Sequence, residues 1–191
     1  MKRRRAIANI FFITGTAIAG LAGYEWFSLN RKQNLKILPS YKTLIAELAE
    51  IIIPATDTPG AKDARVEDFI IKMVMNCEDI KDQNNFLKGM EELQHFSIKR
   101  YKCVFEKCGL NEKIAVMTHF EEKGTSPNKI VKKIKTKIFG KSFFDQLKDF
   151  TVTGYCTSEL GAKKGLAYDY IPVKYEPCIP LLSSQKSWAT K

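Results

Sequence analysis

The sequence predicts an all-α protein with a single helical domain of about five to six helices, over residues 37–191. Two observations predict this fold class. Apolar residues recur at helical spacing through most of the chain beyond residue 38, while the alternation typical of strands is scarce. A chain of 191 residues that is 45% hydrophobic is also large enough to bury one core. Two segments lie outside this pattern, an N-terminal signal or anchor helix within residues 1–36 and an extended Pro/Tyr-rich C-terminal segment.

The N-terminal segment has the layout of an export signal. A basic start is followed by an uncharged run from Ala6 to Tyr24, which ends among small residues. The pair Arg4 and Arg5 is typical of twin-arginine signals, which bacteria use to export folded proteins, although no Ser or Thr precedes the pair. An uncleaved run of this length could also span a bilayer. We therefore expect a periplasmic protein, anchored to the inner membrane if the segment is retained.

Three helices are predicted in the first half of the domain. The first opens at Pro39 and Ser40 and stops at Pro54, because proline cannot continue a helix. The second, Val66–Cys77, has the cleanest amphipathic stripe in the chain. The third, Phe86–Cys108, is longer and less regular.

Three further helices follow in the second half. Asn111 is expected to cap the fourth, and the pair Ser126-Pro127 suits the start of the fifth. Ser142 with Asp145 three residues later resembles a capping box that opens the sixth helix. Gly161 is expected to end the sixth.

The loop "PATDTPGAKDA" between the first two helices is rich in residues that could bind a ligand. Each also has a structural interpretation: Asp57 and Thr58 bond back to nearby backbone, Pro59-Gly60 forms the centre of a type II turn, and Asp63 caps the second helix. In the functional interpretation the same rigid turn presents residues 56–62 to another protein. Phosphate binding is weakly supported, because one glycine does not make a cradle of backbone N–H groups.

The positive charge is unevenly distributed. The formal net charge is +10, and seven Lys or Arg against one Glu in residues 1–36 supply more than half of it. The second basic stretch, "KGTSPNKIVKKIKTKIFGK" from Lys123 to Lys141, has seven lysines and no acid. Helical spacing puts its apolar residues on one face, so we predict a solvated basic face, with anionic lipid or an acidic partner as the alternative. Nucleic acid is not expected as a partner, because no arginine accompanies these lysines.

The sequence offers no recognisable catalytic, metal or cofactor motif, whether a nucleophile elbow, a Walker loop, a dinucleotide fingerprint or a C-x-x-C pair. His95 and His119 fall on different predicted helices without the spacing of metal ligands. The five cysteines are an odd number, so at least one is free or pairs with another chain. Cys103 and Cys108 could bridge in an oxidising compartment, but we interpret them as small core hydrophobes. The chain is therefore predicted not to be an enzyme on its own.

The C-terminal stretch "GLAYDYIPVKYEPCIPLLSSQKSWATK" changes character. Its three prolines exclude a long helix, and its tyrosines and aliphatic residues are too apolar for a free tail. An extended segment of this kind is expected to lie on its own domain or, as the alternative, on the surface of a partner. Trp188 near the C-terminus favours the partner surface, because tryptophan is enriched at protein interfaces.

Three stretches of the sequence resemble the gluconate 2-dehydrogenase subunit 3 family: "EIIIPATDTPGAKDARVEDFI", "GYCTSELGAKKGLAYDYIPVKYEPCIPL" and "QKSWAT". The resemblance covers most of the chain after residue 40, although residues 80–140 match only in helical character. It implies a small exported subunit bound to a large FAD-dependent dehydrogenase of the glucose–methanol–choline type, often with a cytochrome c subunit. The large subunit would oxidise a sugar or sugar acid and hold the FAD. The small subunit would bind no cofactor and would assist the folding, export and membrane association of its partner.

The resemblance also marks residues at motif positions, without deciding whether they contact the partner or hold the subunit's own fold. These positions are Pro54, Asp57, Pro59, Gly60, Thr157, Glu159, Gly161, Tyr175, Cys178 and Pro180. Arg4 and Arg5 would supply the signal that carries a folded partner across the membrane.

Two other functions stay open at this point. A stand-alone enzyme would use Asp57, Glu159 or His119, which should then converge in a pocket with shifted pKa values. A membrane-anchored binding or scaffold protein would act through the basic face at Lys129–Lys137, and its association would depend strongly on salt.

Overall fold

The structure, a computed structural model, describes residues 30–125, 128–171 and 185–189, together with positions 20, 23, 27, 178, 180 and 183. The predicted signal at Arg4 and Arg5 and the motif residue Tyr175 lie outside these residues. The division at residue 36 stays a prediction. Among the described helices, none combines the length and the apolar character needed to cross a bilayer.

Six α-helices make up the described part of the domain, which contains no strand. They are α1 (Lys42–Ile52), α2 (Val66–Asn76), α3 (Ile80–Tyr101), α4 (Leu110–Gly124), α5 (Lys129–Phe139) and α6 (Phe143–Thr157). A 3-10 turn (Leu35–Tyr41) precedes α1, a second (Phe105–Lys107) follows α3, and a π-helical turn (Gly161–Gly165) follows α6. The all-α fold is therefore confirmed.

Helix α6 lies at the centre of the domain, against α1, α2, α3 and α4. It buries Phe143, Leu147 and Phe150 among others, and each such side chain contributes about 1.5–3 kcal/mol on burial. Gly154 lets α2 approach closely, because a Cβ at this position would lie 2.7 Å from Phe69 Cδ1. The core is thus built around the sixth predicted helix.

Several predicted helix boundaries are wrong by a few residues. Pro39 lies inside the 3-10 turn, and α1 begins only at Lys42. Gly109, not Asn111, precedes α4, and its N–H donates to Glu112 Oε2 at 2.9 Å. The fifth helix is capped by Asn128, whose side-chain oxygen accepts from the Ile130 N–H at 2.9 Å. At the starts of α4 and α5, the side chains of Glu112 and Asn128 accept free backbone N–H groups. The predicted pair Ser126-Pro127 lies outside the described residues.

The capping prediction for the last helix is confirmed at Ser142, whose Oγ accepts from the Asp145 N–H at 3.2 Å. The predicted end at Gly161 is wrong, because α6 ends at Thr157. Ser158 then closes the next turn by accepting the Gly161 N–H on its Oγ at 3.0 Å.

The third predicted helix is also too long at its C-terminal end. It stops at Tyr101, and Lys102 takes the left-handed conformation with φ 60°. The chain turns back after Lys102 and buries Phe105 fully. The same turn brings the Cα atoms of Cys103 and Cys108 to within 5.9 Å of each other, and the two residues form a disulfide. The interpretation of these cysteines as core hydrophobes is therefore wrong, because the helix that would have kept them apart ends first.

Candidate partner-binding surface

The loop between α1 and α2 is fastened by the carboxylate of Glu50 in the last turn of α1. Glu50 Oε1 accepts from the Ala55 N–H and Oε2 accepts from the Lys62 N–H, both at 2.9 Å. A Cβ at Gly60 would lie 2.5 Å from Oε1 and 2.6 Å from the Ala55 nitrogen. The glycine is therefore required by this close approach. The predicted type II turn is wrong, because Gly60 is not at positive φ.

The two aspartates of the loop have local partners. Asp63 Oδ2 accepts from the Gly60 N–H at 3.0 Å, so it closes the loop and does not cap α2 as predicted. The residue before α2 is Arg65, which sits at φ 53° without a side-chain cap. Asp57 Oδ1 accepts from the hydroxyl of Thr56 at 2.9 Å, a side-chain contact and not the predicted backbone bond.

An ion-pair cluster ties the loop to two helices. Glu47 on α1 pairs with Lys62 of the loop at 2.5 Å and with Lys113 of α4 at 2.8 Å. Burial of Glu47 would raise its pKa, but the hydrogen bonds and charges of the two lysines outweigh burial, so the pKa lies below its usual value. Glu47 therefore stays ionised, and its carboxylate links Lys62 of the loop to Lys113 of α4.

Tyr155 on α6 joins the two stretches that carry the sequence motifs. Its hydroxyl donates to the Pro59 carbonyl oxygen at 2.7 Å, across 96 positions of sequence. On the other side, the π-helical turn closes over the same ring, because a Cβ at Gly165 would lie 2.5 Å from the Tyr155 hydroxyl oxygen. Gly161 abuts the Tyr155 backbone carbonyl just as closely. The loop and the segment after α6 thus meet on one side chain.

The structure separates the motif residues into two groups. Gly60 and Gly161 are buried where helices and loops approach closely, and Pro59 is half-buried beneath Tyr155. The others that lie within the described residues are exposed: Pro54, Asp57, Thr157, Glu159, Cys178 and Pro180. Sequence reasoning grouped them all, because a motif does not show which of its members hold the fold.

We call the exposed loop tip, residues 54–57, and the exposed residues of the 157–171 segment the motif surface. Glu159 on this surface pairs with Lys163 at 2.7 Å, and that hydrogen bond lowers the pKa of the carboxyl. Tyr170 and Ile171 at its end are 81% and 67% exposed. Large apolar side chains next to paired charges are typical of surfaces that bind other proteins.

The described ends of the C-terminal stretch pair with each other. The Ala167 N–H donates to the Ser187 carbonyl, and the Ala189 N–H donates to the Ala167 carbonyl, both at 2.8 Å. These bonds form an isolated parallel bridge between Ala167 and Trp188. Trp188 is nevertheless 45% exposed. Ala167 and Trp188 both belong to this stretch, so the expectation that the segment lies on its own domain stays a prediction.

The residues proposed for a stand-alone enzyme do not line the cleft that the structure forms. This cleft, of about 290 Å³, lies between α3, α4, α5 and α6, and Asp57, Glu159 and His119 are not among its lining residues. The ring of His119 instead stacks on Phe96 with centroids 4.4 Å apart. These three groups therefore do not converge in this cleft.

The other chemically suggestive group follows α3. Cys103, Cys108 and Glu112 place one ligand atom each within 4.8 Å of the others, the one such group of three in the described part of the chain. The two sulfur atoms are joined in the disulfide, and Glu112 accepts the Gly109 N–H. A disulfide sulfur is not a thiolate, so this group fastens a turn and is not arranged as a metal site.

The feature that sequence reasoning missed is the orientation of α5. None of its residues is buried, and its apolar residues point outward, with Ile130 and Ile134 being 70% and 54% exposed. The predicted solvated basic face is confirmed at Lys129, Lys133, Lys135 and Lys137, which are exposed. The prediction did not foresee that the apolar residues of the helix are exposed as well. The amphipathic pattern showed that the helix has two faces, but it does not show which one meets the core.

Comparison with known families adds one finding. A family model described as "Gluconate 2-dehydrogenase subunit 3" matches residues 39–173, which is more than half of the chain and includes all six helices, the loop and Tyr155. Three of the motif positions quoted above, Tyr175, Cys178 and Pro180, lie beyond the matched residues. Searches of curated proteins and of solved structures gave no match to the chain.

Proposed function

The chain belongs to the gluconate 2-dehydrogenase subunit 3 family, and from that premise we propose that it is the non-catalytic small subunit of an exported FAD-dependent dehydrogenase. The family name itself is that of one subunit in a dehydrogenase complex. In the proposed assembly the large partner holds the FAD and oxidises a sugar or sugar acid, and a cytochrome c subunit receives the electrons. The present chain assists the folding and export of the flavoprotein.

The observation that carries this proposal is the motif surface. Its two parts belong to stretches about a hundred residues apart in the sequence. Pro59 in one stretch and Gly161 and Gly165 in the other pack on Tyr155, while the remaining motif residues of both stretches are exposed. A rigid support beneath exposed side chains lowers the entropy that is lost on binding. The arrangement therefore suits a surface that docks on the large subunit.

The groups that a catalytic hypothesis would use have structural partners. Asp57 accepts from Thr56, Glu159 pairs with Lys163, and His119 stacks on Phe96. The pKa of Glu159 is lowered, away from the raised value that a general acid needs near neutral pH. These contacts support a binding role over a catalytic one.

The disulfide supports the proposed location. Disulfides persist in oxidising compartments such as the periplasm and are rare in the reducing cytosol. The Cys103–Cys108 disulfide agrees with the export layout of residues 1–36 and with the twin-arginine pair at Arg4 and Arg5. We therefore propose a periplasmic subunit, held at the inner membrane if the N-terminal segment is retained.

The proposal is tested by purifying the tagged full chain from its own cell envelope, with flavin absorbance and mass spectrometry of the bound material. We expect a flavoprotein in about equal amount. The double charge reversal Asp57→Arg with Glu159→Arg on the motif surface should reduce its recovery at least about tenfold, as expected when charged contacts become repulsive.

The matched control reverses two exposed acids on other helix surfaces, Glu91→Arg with Glu122→Arg, and should leave recovery unchanged. A colourless chain without a partner, or substrate turnover by the purified chain alone, would contradict the proposal. Equal recovery with both double variants would instead place the interface elsewhere on the subunit.

A further inference from the structure

Helix α5 presents an apolar ridge to the solvent. The ridge consists of Ile130, Val131, Ile134 and Ile138, which are between 45% and 70% exposed. At 100° per residue these four side chains fall on one side of the helix. A contiguous row of large aliphatic residues on a surface otherwise rich in charge marks a contact site.

The opposite side of α5 faces the domain and is held there by polar contacts. Lys132 is half-buried and pairs with Asp145 at the start of α6, at 2.9 Å. Thr136 and Phe139, on the same side, are also half-buried. The helix therefore turns Lys132, Thr136 and Phe139 toward the domain and its isoleucines away from it.

The C-terminal end of α5 is fastened in this orientation. Asn85 on α3 donates through Nδ2 to the Phe139 carbonyl at 2.7 Å and to the Lys141 carbonyl at 3.0 Å. The chain leaves the helix through Gly140 at φ 84°, and the Lys141 N–H donates to Asp82 Oδ1 at 2.7 Å. Rotating α5 to hide the ridge would break these bonds, so the outward orientation is specified by the neighbouring helices.

The charges of α5 suit one kind of surface. The helix holds five lysines and no acid. By helical spacing Lys137 and Lys135 fall on the two flanks of the ridge, where long side chains can reach outward while the isoleucines are buried. This is the pattern of a helix that lies in the plane of an anionic membrane surface.

A protein partner would suit the ridge less well. Protein interfaces are enriched in Tyr, Trp, Phe, Met and Arg and depleted in Lys. The one enriched residue on α5, Phe139, is half-buried on the side that faces the domain and is not part of the ridge. Its exposed apolar residues are all β-branched aliphatics, which offer no polar handle for a directional contact.

We propose that α5 is an interfacial membrane helix, whose ridge enters the boundary between headgroups and acyl chains of a bilayer that contains anionic lipid. Its lysines would contact the anionic headgroups. The inference does not depend on the identity of the dehydrogenase partner. It gives the domain a membrane contact of its own, besides any contact made by the basic and uncharged N-terminal stretch.

The test is hydrogen–deuterium exchange of the full chain, measured alone, with phosphatidylcholine vesicles, and with vesicles of equal phosphatidylglycerol and phosphatidylcholine. We expect the amides of residues 131–139 to exchange at least about fivefold more slowly on the anionic vesicles only, because α5 is weakly packed in solution. The amides of α4 serve as an internal reference and should not change. Exchange is read segment by segment, so attachment through the N-terminal stretch does not mask the result.

The variant Ile134→Asp should abolish the slowing, and about 0.5 M salt should weaken it strongly. The matched control is Ile114→Asp on α4, an isoleucine of similar exposure at 46%. In this variant the α5 amides should still exchange more slowly on the anionic vesicles. Unchanged exchange on anionic vesicles, or equal slowing in the two variants, would overturn the proposal. Slowing that appears only when the flavoprotein partner is added would overturn it too, and would assign the ridge to a protein interface.

Discussion

The base of the α1–α2 loop and helix α5 reverse the roles that their sequences indicate. The loop is rich in Thr, Asp, Pro and Gly and resembles a binding site, yet Glu50, Glu47 and Tyr155 hold it at three points. Helix α5 has the pattern of an ordinary amphipathic helix, yet its apolar face is exposed.

The difference shows that local pattern and tertiary role are separate properties. A polar residue is structural when a neighbouring element satisfies its hydrogen bonds, and an apolar face is functional when no neighbour covers it. Substitutions of the residues that fasten the loop should therefore change stability, while substitutions on the α5 ridge should not.

The largest effect is expected from Gly60→Ala. The added Cβ would fall 2.6 Å from the Ala55 nitrogen, and backbone cannot move aside as a flexible side chain can. We expect the free energy of unfolding to fall by about 3 kcal/mol in urea denaturation, as for overpacked sites. The control is Gly109→Ala, whose nearest neighbour would be 3.7 Å away and which should cost less than about 1 kcal/mol. Similar losses in the two variants would show that the loop is not closely packed.

The next effect is expected from Glu50→Gln. One of its two oxygens becomes an amide N–H₂ that faces a backbone N–H, at either Ala55 or Lys62. A loss of about 2 kcal/mol in unfolding free energy is expected for an unsatisfied donor with its charge-assisted bond removed. The exposed Glu91→Gln on α3 should change stability by less than about 0.5 kcal/mol. If Glu50 does not fasten the loop, the two variants should have equal free energies of unfolding.

A smaller effect is expected from Tyr155→Phe, which removes the hydroxyl that donates to the Pro59 carbonyl. The expected loss is about 1 kcal/mol, that of one hydrogen bond. Limited proteolysis should then cut the loop faster in the variant. Tyr41→Phe, at a half-buried tyrosine outside the motif surface, is the control and should not change loop cleavage.

The pH dependence of stability gives a further comparison. Because the pKa of Glu47 is lowered in the folded state, its contribution to stability is present above the ordinary value of 4.5 and is lost as pH falls through the lower folded pKa. Glu47→Gln should flatten the fall of thermal stability below about pH 4.5. An unchanged acid profile would mean that Lys62 and Lys113 do not hold the carboxylate in solution.

The smallest effect is expected from Ile134→Ser on the ridge. This side chain is 54% exposed and belongs to a helix without buried residues, so unfolding free energy should change by less than about 0.5 kcal/mol. Leu48→Ala on α1, at a fully buried position, should by contrast cost about 2–5 kcal/mol. A large loss at Ile134 would mean that the ridge packs within the domain.

Much of the fold could be predicted from the sequence. Of the predicted stripe from Val66 to Cys77, Val66, Ile70 and Val74 are buried along α2, whereas Cys77 at its end is exposed. Ser142 caps α6 where the pattern placed it. These features depend on residues only a few positions apart, so local periodicity and capping chemistry are sufficient. The Cys103–Cys108 disulfide was only the alternative interpretation of these two residues, because it depends on where α3 ends, and helix ends are set by contacts that periodicity does not record.

The sequence by itself determined the helical class, the order of the helices and the family, since each follows from local spacing or from motif identity. Only the tertiary structure decided that Gly60 is needed for Glu50, that Tyr155 joins two distant motif stretches, and that α5 faces outward. The physical reason is that these depend on which elements are neighbours in space. An amphipathic pattern fixes the two faces of a helix, but only its neighbours, here Asn85 on α3 and Asp145 on α6, decide which face is left to the surroundings.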